Sequence, residues 1–384
     1  MDVVMVGPFG LHPRSTMRAR ALPMAKALAG RGHRVSVLLP PWRNREEAGR
    51  RWREDGVTVE NIALPPSIPG YFHTVTALRL AVKALACQPD VIHFFKPKAY
   101  SGLAHWLVAR IPPFQRPRLV VDSDDWEGPG GWNELGGYTP LQQRFFSWQE
   151  RWGLTHADGI TVASRTLESL VWAMGVPPKS VAYVPNGVRD WRRPGERECE
   201  RGACILLYTR FFEFPVSRII DVFQRVRKKV PRAHLLVVGQ GLFGEEDALL
   251  SLASDAGLRV VSPSFPVDGE VVLGDGDVTY AGWVPREALP SCFARADVAI
   301  YPFDDTLVNR TKCAAKLVDL LAAGVPVVAE AVGEIRTYIR SGQTGVLVRP
   351  GDASAFANGV VGVLCKPQLG RALGEGAARD VRER

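Results

Sequence analysis

The chain has 384 residues, of which 46% are hydrophobic and 23% charged, a length and balance that suit two ordinary α/β domains and set aside disorder and low complexity. Its six cysteines stand without CxxC spacing, so neither a zinc site nor a disulfide framework is indicated. The formal charge of +8 is uneven: residues 1–190 carry 23 Lys+Arg against 16 Asp+Glu, and residues 191–384 carry 25 against 24. Eleven of the basic residues lie between Arg14 and Arg53, a cluster able to attract anionic lipid, a phosphorylated acceptor or nucleic acid; an arginine-rich solvated surface is the plainer reading. No uninterrupted apolar run reaches the ~18 residues that span a bilayer. Met1 to Gly10 has no basic region ahead of an apolar stretch. A cytoplasmic, non-secreted protein is expected, with room for peripheral contact at the inner face of a membrane and with no nucleic-acid partner.

In chain order, VVMVGPFG is a strand ending in a glycine-containing loop, and Arg18 to Gly30 reads as a helix by its apolar spacing. RGHRVSVLLP and VTVENIAL are strands, TALRLAVKALAC a helix, DVIHFF a strand, SGLAHWLVARI a helix and RLVVDSD a strand. Strand and helix alternate, which predicts a parallel sheet buried on both faces. A Gly- and Trp-rich stretch, GPGGWNELGGY, then interrupts the rhythm before a helix through Gln142 to Trp152; a loop of that kind in an α/β domain is more often functional than structural. DGITVAS, a helix from Arg165 to Met174 and VAYVPNGV complete a first domain at 1–190, and the charged run that follows predicts a linker at 191–202. A second series starts at CILLYTR and continues through HLLVVGQG, VTYAGWV, DVAIYPF, a helix from Cys313 to Ala323 and PVVAE, giving a domain at 203–362 and a helical tail at 363–384. Two Rossmann-like series predict two α/β domains facing across a cleft, with ligands at the C-terminal ends of the strands and a C-terminal helix that could cross back to the first domain.

The segment DVAIYPFDDTLVNRTKCAAKLVDLLAAGVPVVAE resembles the donor-binding signature of GT-B glycosyltransferases, in particular the retaining family 4, or group 1, type. Lys316 stands in the first turns of a helix, where free N–H groups already favour phosphate, and the resemblance makes it a stabiliser of the departing diphosphate. Asp319, on the same face, would bind ribose, with Leu317 between them. Of the family's two glutamates eight positions apart, the first falls at Thr311 and the second is shortened to Asp319, so Asn309, Arg310 or Thr311 would take over the sugar contact. LLYTRFFEFP matches the region that carries a diphosphate-binding arginine, here Arg210; its lysine partner is absent, and Arg218 or Lys316 could compensate. HLLVVGQG resembles the family's glycine turn, where Gly239 and Gly241 admit the nucleotide. VTYAGWVP places Trp283 and Val284 near the base, with Trp283 as a core residue equally open.

In the first domain GPFGLHPRSTMRARALPMAKALAGRGHRV resembles the N-terminal loop and helix of the same enzymes, with Gly10 near the transferred sugar. RLVVDSDDWEG stands where many relatives carry a histidine, which makes Asp124 and Asp125 the catalytic candidates, with Asp122, Trp126 and Trp132 for the acceptor. Asp122-Ser-Asp124 also fits the metal-binding DxD of the unrelated GT-A fold, although that single-domain fold would leave the second series unexplained. His93 is expected to pack near its strand end. The resemblance implies sugar transfer from a nucleoside diphosphate sugar to a glycan, lipid-linked or small-molecule acceptor, with retention and with neither metal nor further cofactor. A nucleotide-sugar epimerase of the same shape and a degenerate glycan-binding subunit remain the alternatives.

Overall fold

The computed structural model describes residues 1–12, 16–187, 191, 203–263 and 273–383. They group into two compact units, Met1–Gly187 with Thr311–Cys313, and Val188–Arg310 with Ala314–Arg384. The linker expected at 191–202 lies outside the described residues except for Trp191, whose ring packs on Phe293 at 5.3 Å within the second unit.

The first unit runs β1 (Asp2–Val6), α1 (Leu22–Gly30, entered through a π-helical turn at Met17–Ala21), β2 (Arg34–Leu39), β3 (Arg51–Glu54), β4 (Val57–Asn61), α2 (Tyr71–Ala86), β5 (Val91–Phe95), α3 (Ala99–Val108), β6 (Arg118–Ser123), α4 (Trp132–Leu135), α5 (Pro140–Thr155), β7 (Gly159–Val162), α6 (Arg165–Ala173) and β8 (Val181–Tyr183). The strands order as β3-β4-β2-β1-β5-β6-β7-β8. The apolar run of β1 fits a strand covered on both faces, and Val3 to Val6 are all buried. Thr139 and Gln142 form a reciprocal capping box that starts α5 two residues before the expected Gln142. One expectation is corrected: the sheet is not wholly parallel, because β3 pairs antiparallel with β4 at the edge.

The second unit runs β9 (Cys204–Tyr208), α7 (Ser217–Lys229), β10 (His234–Val238), α8 (Glu245–Asp255), β11 (Val260–Val261), β12 (Val278–Gly282), α9 (Leu289–Arg295), β13 (Val298–Tyr301), α10 (Leu307–Thr311), α11 (Ala315–Ala322), β14 (Val327–Glu330), α12 (Ile335–Tyr338), β15 (Val346–Val348), α13 (Ala353–Leu364) and α14 (Pro367–Glu383). Its sheet is ordered β11-β12-β10-β9-β13-β14-β15, and every pair in it is parallel. On α7 the apolar residues Ile219, Val222, Phe223 and Val226 recur at helical spacing and bury against this sheet. The C-terminal helix α14 packs on α11 and α13 and groups with the second unit, so it is part of that unit's helical layer.

In each sheet the first strand lies inside, with its neighbours running outward in opposite chain directions: β1 between β2 and β5, β9 between β10 and β13. At such a switch point the loops leave to opposite faces, and the gap they leave is where α/β sheets take ligands. Among the described residues no helix is long and apolar enough to cross a membrane.

Candidate active site

Beside the switch point of the first unit, β5 runs into KPK and β6, one strand further out, into DDWE. Lys96 and Ala99 hold φ angles of +49° and +52°, a left-handed backbone that side-chain-bearing residues rarely adopt and that concentrates at functional sites. The Ser101 hydroxyl lies against the carbonyls of Phe95, Lys96 and Lys98 and braces that loop. The Lys96 ammonium, buried, stands 3.2 Å from Asp124, 2.9 Å from Asp125 and 3.4 Å from Glu127. Lys98 donates to Glu127 at 2.6 Å and to Asn133 at 2.7 Å.

Burial alone would depress Lys96, but the carboxylates of Asp124, Asp125 and Glu127 outweigh it and hold the group charged, well above the ordinary lysine range. Burial is also the main cause that lifts the Asp124 carboxyl to about 6; Asp125 and Asp122 add to it, while Lys96 and Arg20 oppose it. Glu150, on α5, is raised well above its usual value by burial and then by Glu127, and one of its oxygens accepts from the Glu127 amide at 2.9 Å. The cluster therefore holds two cations against four carboxyl groups, two of which resist ionisation.

The structure corrects the acceptor residues. Asp122 is fully buried beneath this cluster, held by Arg20 through two bonds of 2.7 and 2.6 Å and by the Thr161 hydroxyl at 2.5 Å. Burial pushes its carboxyl up, yet the Arg20 charge and hydrogen bond outweigh that and keep it below the usual range. No surface of Asp122 is left for an acceptor, and removing either partner would strand the other charge, at a loss of about 3–5 kcal/mol. Asp122 and Asp124 answer to different cations, which does not suit a shared metal at the DSD string. Trp126 is also turned inward: it is buried, its indole N–H donates to the Pro129 carbonyl at 2.8 Å, and its atoms fill the space a Cβ would need at Gly128 and Gly131. Trp132 opens α4 and is half-buried. Gly10 is buried, and a Cβ there would meet Pro41 at 3.4 Å. His93 is buried beside Thr161, and burial lowers its imidazole to about 4, which leaves it neutral near pH 7.

In the second unit, β9 ends at Tyr208 and the next two residues enter the switch point. Arg210 lies there with its guanidinium 5.8 Å over the ring of Trp283, and its Nε finds no acceptor among the described residues. Trp283 is 66% exposed, so it is a surface platform and not core; Val284 next to it is buried. Gly239 has φ +131°, and a Cβ there would fall 1.9 Å from the Thr209 carbonyl, so glycine alone fits where this turn presses on the exit of β9. Lys316 is the second residue of α11, with its ammonium 5.2 Å over the Tyr208 ring. Asp319 accepts the Trp191 indole N–H at 3.1 Å, which uses one oxygen of the proposed ribose contact.

Other expected donor residues are placed differently. The Gly241 amide already donates to Glu246 at 2.9 Å, and Phe243 to Glu245 at 2.8 Å, so this turn presents its own carboxylates where a phosphate would have to sit. The Asn309 amide ties together the carbonyls of Glu213 and Asp304 at 2.8 and 2.9 Å and shapes the loops around the site. Thr311 and Leu317 are fully buried, so neither presents a surface to a donor. Arg218 does not stand in for the missing lysine: it is paired with Asp304 and, at 2.8 Å, with the fully buried Glu330. Glu330 also accepts from Phe303 and Gly351 at 2.7 Å, closing a knot that aligns the ends of β13 and β14.

Sequence reading passed over Lys96, Lys98, Glu127, Glu150, Arg20 and Glu330. The signal available for the first two was their position, two lysines directly after the apolar strand DVIHFF.

Residues 15–187 match the family described as glycosyl transferase 4-like domain, and residues 205–366 match glycosyl transferases group 1. The chain is a glycosyltransferase of the group 1, family-4-like type. A relative from Mycolicibacterium smegmatis, a GDP-mannose-dependent alpha-(1-6)-phosphatidylinositol monomannoside mannosyltransferase, is 25% identical over 366 residues, covering 90% of this transferase and 84% of the relative. Sucrose-phosphate synthase from Thermosynechococcus elongatus superposes with a TM-score of 0.72 at 18% identity, over 100% of this chain and 94% of the other. HepE from Anabaena, solved in complex with UDP-glucose, superposes at 0.67 with 16% identity, over 100% and 95%. At those identities the structures show the fold, GT-B with two Rossmann-like domains, and the transferase shares it.

Proposed function

We propose that this glycosyltransferase moves a sugar from a nucleoside diphosphate sugar, held at the β9 switch point, to a hydroxyl acceptor received at the β5–β6 cluster, with retention at the anomeric carbon and without metal. The observation that carries the donor side is Arg210, a guanidinium just past the end of a central strand whose Nε has no acceptor among the described residues, beside the exposed indole of Trp283. A planar fork of donors suits two phosphate oxygens, and an exposed indole suits a base or a sugar ring. Lys316, in the first turn of α11, adds a second positive charge, which a departing diphosphate needs more than the intact donor does. In the transfer the bond from the anomeric carbon to phosphate breaks, the bond to the acceptor oxygen forms, and the acceptor proton leaves with the diphosphate. Asp124 and Asp125 offer carboxylates for acceptor hydroxyls and for positive charge on the sugar ring.

The relative's name specifies GDP-mannose and the HepE complex holds UDP-glucose, so these two donors come first. Thermal shift in EDTA across UDP, GDP, ADP and their sugar conjugates should single out one nucleotide series, since a ligand at about 100 times its dissociation constant stabilises by about 2.7 kcal/mol. Arg210→Ala and Lys316→Ala should each weaken that series by about tenfold or more, the loss of about one charge-assisted contact. If no nucleotide stabilises the protein in EDTA or with Mn²⁺, donor binding fails and a glycan-binding role takes its place.

A further inference from the structure

The sequence placed the basic surface at Arg14–Arg53, and the fold pairs three members of that cluster closely with carboxylates while Arg18, Arg31, Arg43, Arg45, Arg50, Arg51 and Arg53 stay exposed. Arg20 is buried on Asp122, Lys26 is held by Glu54 at 2.6 Å and Asp55 at 2.7 Å, and Arg34 is paired with Asp2. A second face of the first unit is basic as well, and its charge is accompanied by exposed aromatic rings. Helices α2, α3 and α5 pack side by side as one layer. Between them they contain a single carboxylate, Glu150, which is turned inward and 1% exposed. None of the three helices contributes an exposed carboxylate, although Glu60 of β4 reaches Lys83 on α2 at 2.9 Å, and Arg79, Arg144 and Arg151 are exposed on them.

The same surface is aromatic. On α5, Leu141, Phe145 and Trp148 are 78%, 39% and 44% exposed. With Trp152 they recur at intervals of four, three and four residues, one stripe along the helix. Phe145 and Trp148 stack at 5.8 Å, Trp148 and Trp152 meet at 6.3 Å, and Trp152 stacks on His156 at 4.6 Å. Arg144 and Arg151, seven residues apart, flank the stripe on one side. On α2, Leu78 and Val82 are exposed in a parallel stripe. The second unit's C-terminal helix α14 instead mixes Arg371, Glu375, Arg379 and Glu383, the pattern of an ordinary solvated face.

We propose that the α2–α3–α5 face of the first unit is a docking surface for an anionic lipid bilayer, with the α5 stripe seated at the headgroup level. Indole and phenyl rings prefer that depth, a helix with an apolar stripe and a basic flank lies along the interface, and arginines with no neighbouring carboxylates are drawn to anionic headgroups. A second copy of this chain fits less well, because a two-fold contact through this face would set Arg144 and Arg151 against their own kind. The surface does not depend on donor binding, so it is testable apart from catalysis.

The test is co-sedimentation of the whole protein with vesicles of phosphatidylcholine containing one part in three phosphatidylglycerol, read also by quenching of tryptophan fluorescence with brominated acyl chains. Wild type should bind these vesicles and not pure phosphatidylcholine. Phe145→Ser with Trp148→Ser, and separately Arg144→Glu with Arg151→Glu, should each reduce binding about tenfold or more, with circular dichroism and melting unchanged. Arg50→Glu with Arg53→Glu, in the cluster read from sequence, should leave binding within about twofold, the scale of a distant surface charge. The proposal is overturned if wild type ignores anionic vesicles, or if the α5 variants bind as wild type does. It also fails if light scattering finds a dimer that Trp148→Ser splits while no vesicle binding is seen.

Discussion

Asp124 and Asp125 leave the end of β6 together and meet one buried ammonium, Lys96. Lys96 is the principal cation opposing burial at Asp124, which already stands at about 6. An ionised Asp124 becomes scarce below that value, so kcat/KM should fall as pH drops through about 6. Removing the cation in Lys96→Met leaves burial, Asp125 and Asp122 against the charged form, which moves the acid limb to higher pH; Asp124→Asn should abolish the limb. A Lys96→Met profile that only scales down, with its limb unmoved, would mark the lysine as a strut for the loop. This pairing was out of reach for sequence reading because Lys96 and Asp124 follow different strands with a whole helix between them. What was legible in sequence was position: Arg210 and Gly239 just past strand ends and Lys316 in the first turn of a helix.

At the scale of elements, the exits of β9, β10 and β12 bound the proposed donor side. Gly239 bonds the Gly282 carbonyl through its amide at 2.8 Å while passing over Thr209, so the three strand ends share one close contact. Gly239→Ala forces a methyl into the Thr209 carbonyl and asks an L residue to hold a glycine-only φ, which should cost about 1–3 kcal/mol or more and remove the nucleotide-dependent thermal shift. Gly30→Ala, at the end of α1 where a Cβ meets nothing within 4 Å, is the control and should leave both unchanged or slightly raise stability. Most elements were legible from periodicity because their strands are continuous apolar runs. The edge strand β3 was not, since Arg51-Trp52-Arg53-Glu54 faces solvent on alternate residues and carries hardly any apolar signal. The Trp-rich loop was legible as unusual but not as to purpose: Trp126 fills its own loop, while the exposed rings sit one helix later, on α5.

For the whole molecule, buried charges give stability a pH dependence of two signs. The Asp122 carboxyl is held below its ordinary value by Arg20, so its contribution is present at neutral pH and is lost as pH falls through its native value. Glu150 is raised well above its ordinary value; the unfolded chain releases this proton first, so stability drains as pH rises above the ordinary glutamate range. Glu150→Gln keeps the shape and the acceptor for the Glu127 amide without the ionisation, and its melting temperature should exceed that of wild type by more at pH 8 than at pH 5. Equal shifts at both pH values would mean that Glu150 is already ionised in the native protein. By itself the sequence determined two β/α series, their buried strands and the positions of Arg210, Gly239 and Lys316 at strand and helix ends, because each follows from local periodicity and chain order. Only the tertiary structure decided which charges neutralise one another and which face stays basic. Arg20 meets Asp122 across 102 positions and Arg218 meets Glu330 across 112, and such pairing is set by strand order and by the energetic penalty of leaving a buried charge alone.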